Sequence, residues 1–247
     1  MKLCALLLAA ALVAVPAAVR ADDPKVVLEL FTSQGCSSCP SADAYLGELA
    51  ATRDDVVALS FHVDYWDYIG WEDRFATEET TERQRDYARA LGIAYVYTPQ
   101  LVIDGARHAV GSNKRAVSDA IAVSKSVKAR RVPVALTSGG PGQLTVEIGH
   151  SDGYYGDATV WLVSIDREHK TTVDAGENRG RTLSNYHVVR DFRSIGRWTG
   201  GAMTLEFGPD ELSRRSDSMG DGCAVLVQEN RGKGRIMGAD IVWLDES

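Results

Sequence analysis

Two cysteines three positions apart stand between an apolar run and a helix-like stretch. Residues 36–39 read Cys-Ser-Ser-Cys, the apolar run covers residues 26–31, and the helix-like stretch begins near Pro40. This order predicts a strand, a bend and a helix with both thiols at the helix N-terminus, where unpaired N–H groups and the helix dipole favour a thiolate. We therefore expect the leading sulfur, that of Cys36, to be exposed and nucleophilic and to close reversibly on Cys39.

A static disulfide and half of a zinc site are the alternatives for this motif. A zinc site normally takes four ligands at recognisable spacing, and the chain has no second Cys-x-x-Cys. Beyond the motif and the N-terminal segment it offers only Cys223 and five scattered histidines. The position at a strand-to-helix junction favours reactive thiols over either alternative.

The first 21 residues have the parts of a secretory signal peptide. A basic start precedes an apolar core over residues 3–15, and the small residues Val19 and Ala21 would allow cleavage before Asp22. The core is too short to span a membrane comfortably, although an uncleaved anchor is the alternative. We therefore expect a periplasmic or secreted bacterial protein with no membrane span after cleavage.

Export bears on the cysteines and on the charge. Removal of residues 1–21 leaves Cys36, Cys39 and Cys223, an odd count for an exported chain, in a compartment that permits disulfides. The formal net charge is −7, and loss of Lys2 and Arg20 would make it −9. A net-acidic chain without a basic patch argues against nucleic acid as a partner.

The chain divides into two regions that differ in their predicted pattern of helices and strands. Residues 22–130 alternate between strand and helix, which predicts an α/β domain, whereas residues 131–247 predict a smaller all-β, sandwich-like domain. In the first region we predict strands over 26–31, 56–63, 101–103 and 108–112 and helices over 40–51, 77–91 and 113–125. In the second we predict strands over 134–137, 144–148, 158–165, 203–207, 224–228 and 236–244.

Pro99 precedes a predicted strand, where its missing amide hydrogen is tolerated and a cis bond can expose the preceding backbone. A strand, Cys-Ser-Ser-Cys, a helix, a strand, a helix, then Thr98-Pro99 before a hairpin and a closing helix resembles the thioredoxin superfamily. The resemblance implies a thioredoxin-like domain in which Cys36 attacks and Cys39 resolves. It also implies that Thr98 and a cis Pro99 dock the substrate chain.

A narrower resemblance rests on three segments. Residues 31–40, 61–68 and 97–100 are similar to a family of exported bacterial thioredoxin-like proteins of uncharacterised function, and this likeness spans both halves of the chain. The dipeptide Ser37-Ser38 has neither the glycine-proline of reducing thioredoxins nor the histidine of strong oxidants. The connection 64–73 is also longer and more aromatic than the basic fold needs.

Glu29 stands in the middle of an apolar strand, seven residues before Cys36. Thioredoxins carry a buried acid near this place that relays a proton to the resolving thiol, and burial would raise the pKa of Glu29 enough for that role. The alternative is a carboxylate that faces solvent or forms a structural ion pair.

His62 and Asp64 lie at the end of the second predicted strand and, being two apart, are expected to project from the same face. They could form a metal pocket with the two thiolates, or a proton relay. The alternative is a buried histidine hydrogen-bonded by its neighbour.

Four aromatic side chains follow, and they could line a groove for an extended polypeptide or pack inside the connection. They are Tyr65, Trp66, Tyr68 and Trp71, of which Trp66 is our candidate for substrate binding.

Three features of the second region give further predictions. Residues 177–190 are dense in polar groups and are expected to cover the sheet end or to contact the first domain. The run 231–235 reads as a hairpin turn, because it lacks the strand-loop-helix context of a phosphate loop. Cys223 reads as an inert buried residue, with pairing to another chain as the alternative.

Together these patterns predict an exported thiol-disulfide oxidoreductase that acts on protein disulfides, exchanges electrons with an unidentified redox partner and needs no cofactor. One alternative is a metal-binding or metallochaperone module that uses Cys36, Cys39 and His62 for a soft ion such as Cu(I). The other is a thioredoxin-like binding protein that has lost catalysis.

Overall fold

A computed structural model describes residues 24–127, 131–140, 142–152, 154, 156–212 and 220–244. The predicted signal peptide lies outside these described residues. None of the helices within them is long and apolar enough to cross a membrane.

The helices and strands follow one another in this order: β1 Val26–Thr32, α1 Pro40–Thr52, β2 Val56–His62, a 3-10 turn Asp67–Ile69, α2 Glu78–Leu91, β3 Gln100–Ile103, β4 Arg107–Val110, α3 Lys114–Ser126, β5 Val134–Gly140, β6 Gln143–Ile148, β7 Ala158–Thr172, β8 Thr182–Trp198, β9 Met203–Phe207, α4 Pro209–Leu212, β10 Gly222–Gln228 and β11 Ile236–Trp243. Residues Glu229–Gly232 form a turn between the last two strands, because Asn230 and Arg231 have left-handed backbone angles.

Eight of these strands form one mixed sheet in the order β11-β10-β7-β8-β2-β1-β3-β4, and β5, β6 and β9 form a smaller antiparallel sheet. In the large sheet β1 pairs parallel with β2 over seven residues and antiparallel with β3. The two halves of the sheet meet where Ser60 of β2 pairs with Val188 of β8.

The N-terminal half of the large sheet is covered by helices on both faces. Alternate residues of β1 face opposite ways, so Leu28 and Leu30 pack with α1 and α3, while Val27 and Phe31 pack on the side of α2. Helix α2 begins at Thr77, whose hydroxyl accepts from the amide of Thr80 at 3.2 Å in a capping box. It ends at Gly92, where φ is 67°.

The smaller sheet covers one face of the C-terminal half. Leu144 and Val146 of β6 pack against Leu162 of β7, Val225 of β10 and the fully buried Trp198. This region is β-rich, as the sequence predicted, but β7, β8, β10 and β11 continue the sheet of the N-terminal half. The predicted boundary near residue 130 stays a prediction.

Strand β8 was not among the strands predicted from the sequence. Its polar and apolar residues follow no strict two-residue alternation, because different stretches of the strand face α1, the core and solvent. Strand β7 is longer than the predicted strand 158–165, since it extends to Thr172 and pairs with β8 along its whole length.

Candidate functional site

The two cysteines of the motif form a disulfide between β1 and α1. The Cα atoms of Cys36 and Cys39 are 5.4 Å apart. Cys39 is the N-cap residue of α1, and Pro40 occupies the first turn, where its missing N–H costs no helical hydrogen bond. The predicted placement of both cysteines at the start of this helix is therefore present in the structure.

The prediction of an exposed Cys36 is wrong for this disulfide form. Cys36 and Cys39 both have 0% of their surface exposed, whereas Ser37 and Ser38 between them are exposed. A part of the chain more than 130 residues further on bonds the backbone carbonyl of Cys36.

Residues 173–181, which connect β7 to β8 and are called the hairpin tip here, lie over the disulfide loop. The side-chain amide of Asn178 donates to the carbonyl oxygens of Gln34 and Cys36, both at 2.9 Å. The carboxylate of Glu177 accepts from the amide of Ser37 at 3.0 Å, and this hydrogen bonding lowers the pKa of Glu177. Residues 177–190 were expected to cover the sheet end or to contact the first region, and these bonds are a contact of the second kind.

Gln34 bonds the disulfide loop to two further parts of the chain, the connection 64–73 and β8. Its backbone amide donates to Asp73 at 2.8 Å. Its side chain donates to Asn185 at 3.0 Å and accepts from the indole N–H of Trp71 at 3.2 Å. A methyl group on Gly176 would lie only 3.3 Å from the Cβ of Trp71, so the hairpin tip packs directly against the aromatic connection.

The predicted docking residues Thr98, Pro99 and Trp66 lie together. The Thr98–Pro99 peptide bond is cis, and the indole N–H of Trp66 donates to the hydroxyl of Thr98 at 2.7 Å. A methyl group on Gly111 would lie 3.0 Å from the Cβ of Ala42 and 3.5 Å from that of Pro99. Pro99 is thus near Ala42, which lies in the first turn of α1, three residues after Cys39.

The other aromatic side chains of the connection divide between packing and exposure. Tyr65 and Trp66 pack against the core between the large sheet and α2. Tyr68 is 82% exposed. The packing alternative therefore describes Tyr65, and Trp66 takes part in both packing and the bond to Thr98.

His62 and Asp64 do not form a pair. The imidazole Nδ1 of His62 is 2.7 Å from Asp73, and both side chains are fully buried. Asp64 instead accepts from the hydroxyl of Thr81 in α2 at 2.7 Å. The prediction that both side chains project from one face of the strand assumed that the strand continues to Asp64. It does not, because β2 ends at His62 and the chain turns before Asp64.

The His62–Asp73 contact sets the charges at this place. Burial alone would lower the pKa of His62, but the charge and hydrogen bond of Asp73 and the charge of Asp43 raise it above its usual value. Burial would raise the pKa of Asp73, yet the charge of His62 and the amides of Gln34 and Phe75 lower it. The structure therefore favours an imidazolium beside a carboxylate.

Glu29 faces the opposite side of the sheet from α1. It is fully buried, ion-paired to Arg83 at 2.7 Å and hydrogen-bonded by the hydroxyl of Tyr87. Both partners belong to α2, whereas the motif opens α1 on the other face. This arrangement is the structural ion pair that the sequence left open as an alternative.

Sequence reasoning missed Asp43 and Asp73. Asp43 is buried in the first turns of α1, and burial raises its pKa to about 7, against the opposing charge of His62. The spacing of four residues between Cys39 and Asp43 could have indicated that the two lie one helical turn apart. No pattern in the residues around Asp73 indicates its contact with His62.

Throughout the described ranges, no group of three or more His, Cys, Asp or Glu side chains is placed to hold a metal ion. Cys223 is free and buried, and burial raises its pKa to about 11.

The site thus combines a disulfide at a helix N-terminus, a cis proline near the first turn of that helix, a polar cover and a buried acid. A family model described as "Protein of unknown function (DUF1223)" matches residues 27–228. No curated protein matches the sequence.

Two solved structures are similar to the chain. The crystal structure of protein AGR_C_4864 from Agrobacterium tumefaciens has 36% sequence identity and a TM-score of 0.77, over 92% of this chain and 97% of that one. HBP35 of Porphyromonas gingivalis has 15% identity and a TM-score of 0.63, over 91% of this chain and 76% of that one. The second likeness is one of fold alone.

Proposed function

Because this chain belongs to the DUF1223 family of proteins of unknown function, we propose its activity from the site itself: it is an exported thiol-disulfide oxidoreductase of thioredoxin-like fold that acts on protein disulfides. The observation that carries the proposal is the Cys36–Cys39 disulfide at the N-terminus of α1 with the cis Thr98–Pro99 bond beside that turn. A helix N-terminus stabilises a thiolate, which is the attacking species in disulfide exchange.

In the dithiol form, the Cys36 thiolate attacks one sulfur of a substrate disulfide. A mixed disulfide forms, and the other substrate sulfur leaves as a thiolate. Cys39, as a thiolate, then attacks the sulfur of Cys36, which restores the internal disulfide and releases the second substrate thiol. The substrate gains two electrons and the protein loses two, so a thiol donor must reduce the protein again; run in reverse, the same steps oxidise a dithiol.

A substrate chain needs access to Cys36, so the hairpin tip must move away. The contacts that hold it are the bonds from Asn178 to two carbonyls and from Ser37 to Glu177, all at the edge of the disulfide loop. With the tip displaced, a substrate chain that reaches Cys36 could pair as an extended strand with the backbone groups before Pro99.

The complete burial of Cys36 favours a second candidate function, a thioredoxin-like binding protein whose disulfide is structural. In that case the disulfide would resist reduction and no substrate would become attached. The two functions therefore differ in one measurable property, the reactivity of Cys36 in the folded protein.

The test uses a Cys39→Ala variant expressed with its signal sequence. Under the first function it accumulates mixed disulfides through Cys36 that dithiothreitol releases, and Cys36→Ala accumulates none. Insulin reduction by the wild type should vanish in Cys36→Ala and persist in Cys223→Ala, a matched control at a buried free thiol. A reduced, folded protein whose Cys36 resists alkylation and forms no mixed disulfide would contradict the oxidoreductase and support the binding protein.

A further inference from the structure

The hairpin tip places a carboxylate against the peptide group that follows Cys36. The carboxylate of Glu177 accepts from the amide of Ser37 at 3.0 Å, and Ser37 is the next residue after Cys36. Hydrogen bonds from Ser37 lower the pKa of Glu177, so the carboxyl is ionised at neutral pH. A negative charge from the C-terminal half therefore lies at the loop that carries the attacking cysteine.

This charge is close to the sulfur of Cys36. The Ser37 nitrogen is bonded to the carbonyl carbon of Cys36, so bond lengths put the carboxylate oxygen of Glu177 within roughly 8 Å of that sulfur. The Debye length at physiological ionic strength is also about 8 Å, so salt screens the interaction only in part. A thiolate at Cys36 would be repelled by Glu177 for as long as the tip stays in place.

The same contact occupies a backbone donor that a thiolate would use. Free N–H groups at a helix N-terminus stabilise a thiolate. The amides of Cys36 and Cys39 already donate to carbonyl oxygens of the loop, both at 3.2 Å, and the amide of Ser37 donates to Glu177. The hydroxyl of Ser38, 3.3 Å from the Cys36 sulfur, can still donate to it. Release of Glu177 would return the Ser37 amide to the N-terminus of α1.

A cation of the hairpin tip acts in the opposite direction but through a longer path. Arg181 donates to the side-chain oxygen of Asn178 at 2.6 Å, and the amide of Asn178 in turn bonds the carbonyl of Cys36. A whole side chain thus stands between this guanidinium and the loop, whereas Glu177 bonds the loop itself. The closed tip as a whole therefore disfavours a thiolate at Cys36.

We propose that Glu177 makes the hairpin tip a cover whose position depends on the redox state, closed over the Cys36–Cys39 disulfide and open over the dithiol. The inference rests on the proposed oxidoreductase function and assigns its direction. If a thiolate weakens the closed state, the closed state disfavours the reduced protein by the same factor. A pair whose reduced form is destabilised gives up electrons readily, so the protein donates electrons to substrate disulfides. Glu177 acts through the loop and is a positioning residue.

The first experiment measures the redox equilibrium with glutathione at pH 7. Two glutathione thiols reduce the protein disulfide and become one glutathione disulfide, and alkylation with mass spectrometry gives the reduced fraction. Glu177→Gln removes the charge and keeps an acceptor for the Ser37 amide. We expect the variant to favour the reduced form about three- to tenfold more than the wild type, which is about 15–30 mV at about 30 mV per tenfold.

The matched control is Glu211→Gln in α4. Glu211 is likewise an exposed carboxylate that accepts from a backbone amide, that of Gly208 at 3.1 Å. The neighbouring Leu212 packs in the core of the C-terminal half, so this contact belongs to another part of the fold. The control should keep the wild-type equilibrium with glutathione.

Two further measurements use the wild type. Hydrogen exchange of the Ser37 amide, followed by NMR, should be at least about tenfold faster in the reduced than in the oxidised protein, while the amide of Gly208 should exchange equally in both. A rise in ionic strength from about 0.01 to 1 M shortens the Debye length from about 30 to 3 Å. It should therefore shift the wild-type equilibrium in the same direction as Glu177→Gln and leave that variant unchanged.

The outcomes separate this inference from the proposed function. A disulfide that glutathione and dithiothreitol cannot reduce in the folded protein overturns the oxidoreductase itself. A reversible disulfide whose equilibrium in Glu177→Gln lies within twofold of the wild type, or shifts towards the oxidised form, overturns the role of Glu177 alone. Equal exchange of the Ser37 amide in the oxidised and reduced protein would show that the cover does not respond to the redox state.

Discussion

The side-chain amide of Asn178 donates a 2.9 Å hydrogen bond to the carbonyl oxygen of Cys36, across 142 positions of sequence. The same amide group also bonds the carbonyl of Gln34, so one buried side chain bonds two carbonyls of the loop that carries Cys36. The C-terminal half of the chain thus bonds directly to the disulfide loop, and we expect it to limit access to the disulfide.

Asn178→Ala should speed reduction of the disulfide. The change removes the side-chain donor of the Gln34 and Cys36 carbonyls, of which the second keeps its bond from the amide of Cys39 at 3.2 Å. The loss costs about 1–2 kcal/mol and raises the open fraction of the hairpin tip about five- to thirtyfold. The measurement is the initial rate of thiol appearance with dithiothreitol. Asn113→Ala is the matched control, since it removes a helix cap of similar value at α3, where Asn113 accepts from Ala116 at 3.1 Å. Equal rates in the two variants would show that the tip does not limit access.

Glu29→Gln should destabilise the fold and leave thiol chemistry intact. Arg83 is buried with Glu29, and removal of one partner from a buried ion pair costs about 3–5 kcal/mol. The free energy of unfolding, from urea titration of the oxidised protein, should fall by that amount. Glu82→Gln, in an exposed pair with Arg85, should change it by less than about 1 kcal/mol. If Glu29→Gln instead had normal stability and released substrate slowly, Glu29 would act in proton transfer to the resolving thiol and not as a structural ion pair.

The helices and strands of residues 26–126 could be predicted because each carries its own signals. Thr77 and Asn113 cap their helices, and Gly92 ends one with a left-handed conformation. Pro99 could likewise be placed at a strand start. These features depend on a few neighbouring residues, which is the range that sequence patterns report reliably.

The features that could not be predicted depend on contacts between distant residues. Asn178 bonds the backbone carbonyl of Cys36 from 142 positions away, and the partner of His62 is Asp73 because the chain reverses after β2. Strand β8 carries charged residues that hide its pattern, and its role in joining the two halves of the sheet rests on the pairing of Ser60 with Val188. Local periodicity has no information on such contacts.

Gly47→Ala should destabilise the contact between α1 and β8. A Cβ at this position would lie 2.5 Å from a ring carbon of Tyr186, and such overpacking costs about 1–3 kcal/mol, more than the 0.5–1 kcal/mol or so that alanine adds to a helix. We expect a lower urea midpoint in the single variant. In the Tyr186→Ala background the same change should be stabilising, because the ring is gone. Destabilisation of equal size in both backgrounds would contradict the close approach.

The stability of the oxidised protein should fall as the pH rises from about 4 to about 7. Burial raises the pKa of Asp43 from 3.8 to about 7, so in this window the folded protein binds a proton that the unfolded chain has released. His62 acts in the same direction, since its raised pKa gives stability that is lost as the pH rises through the folded value. Asp73, with a lowered pKa, adds stability that is lost only as the pH falls below about 4.

Asp43→Asn separates these contributions, because it removes the titrating carboxyl and keeps its shape. A pKa unit corresponds to about 1.4 kcal/mol, so the variant should be more stable than the wild type at pH 8 by a few kcal/mol and should lose the part of the slope that Asp43 contributes. The measurement is the free energy of unfolding in urea at pH 5 and pH 8, with Glu82→Gln as the control. A variant with the wild-type slope would show that Asp43 is ionised in the folded protein and that its burial is offset by contacts with His62.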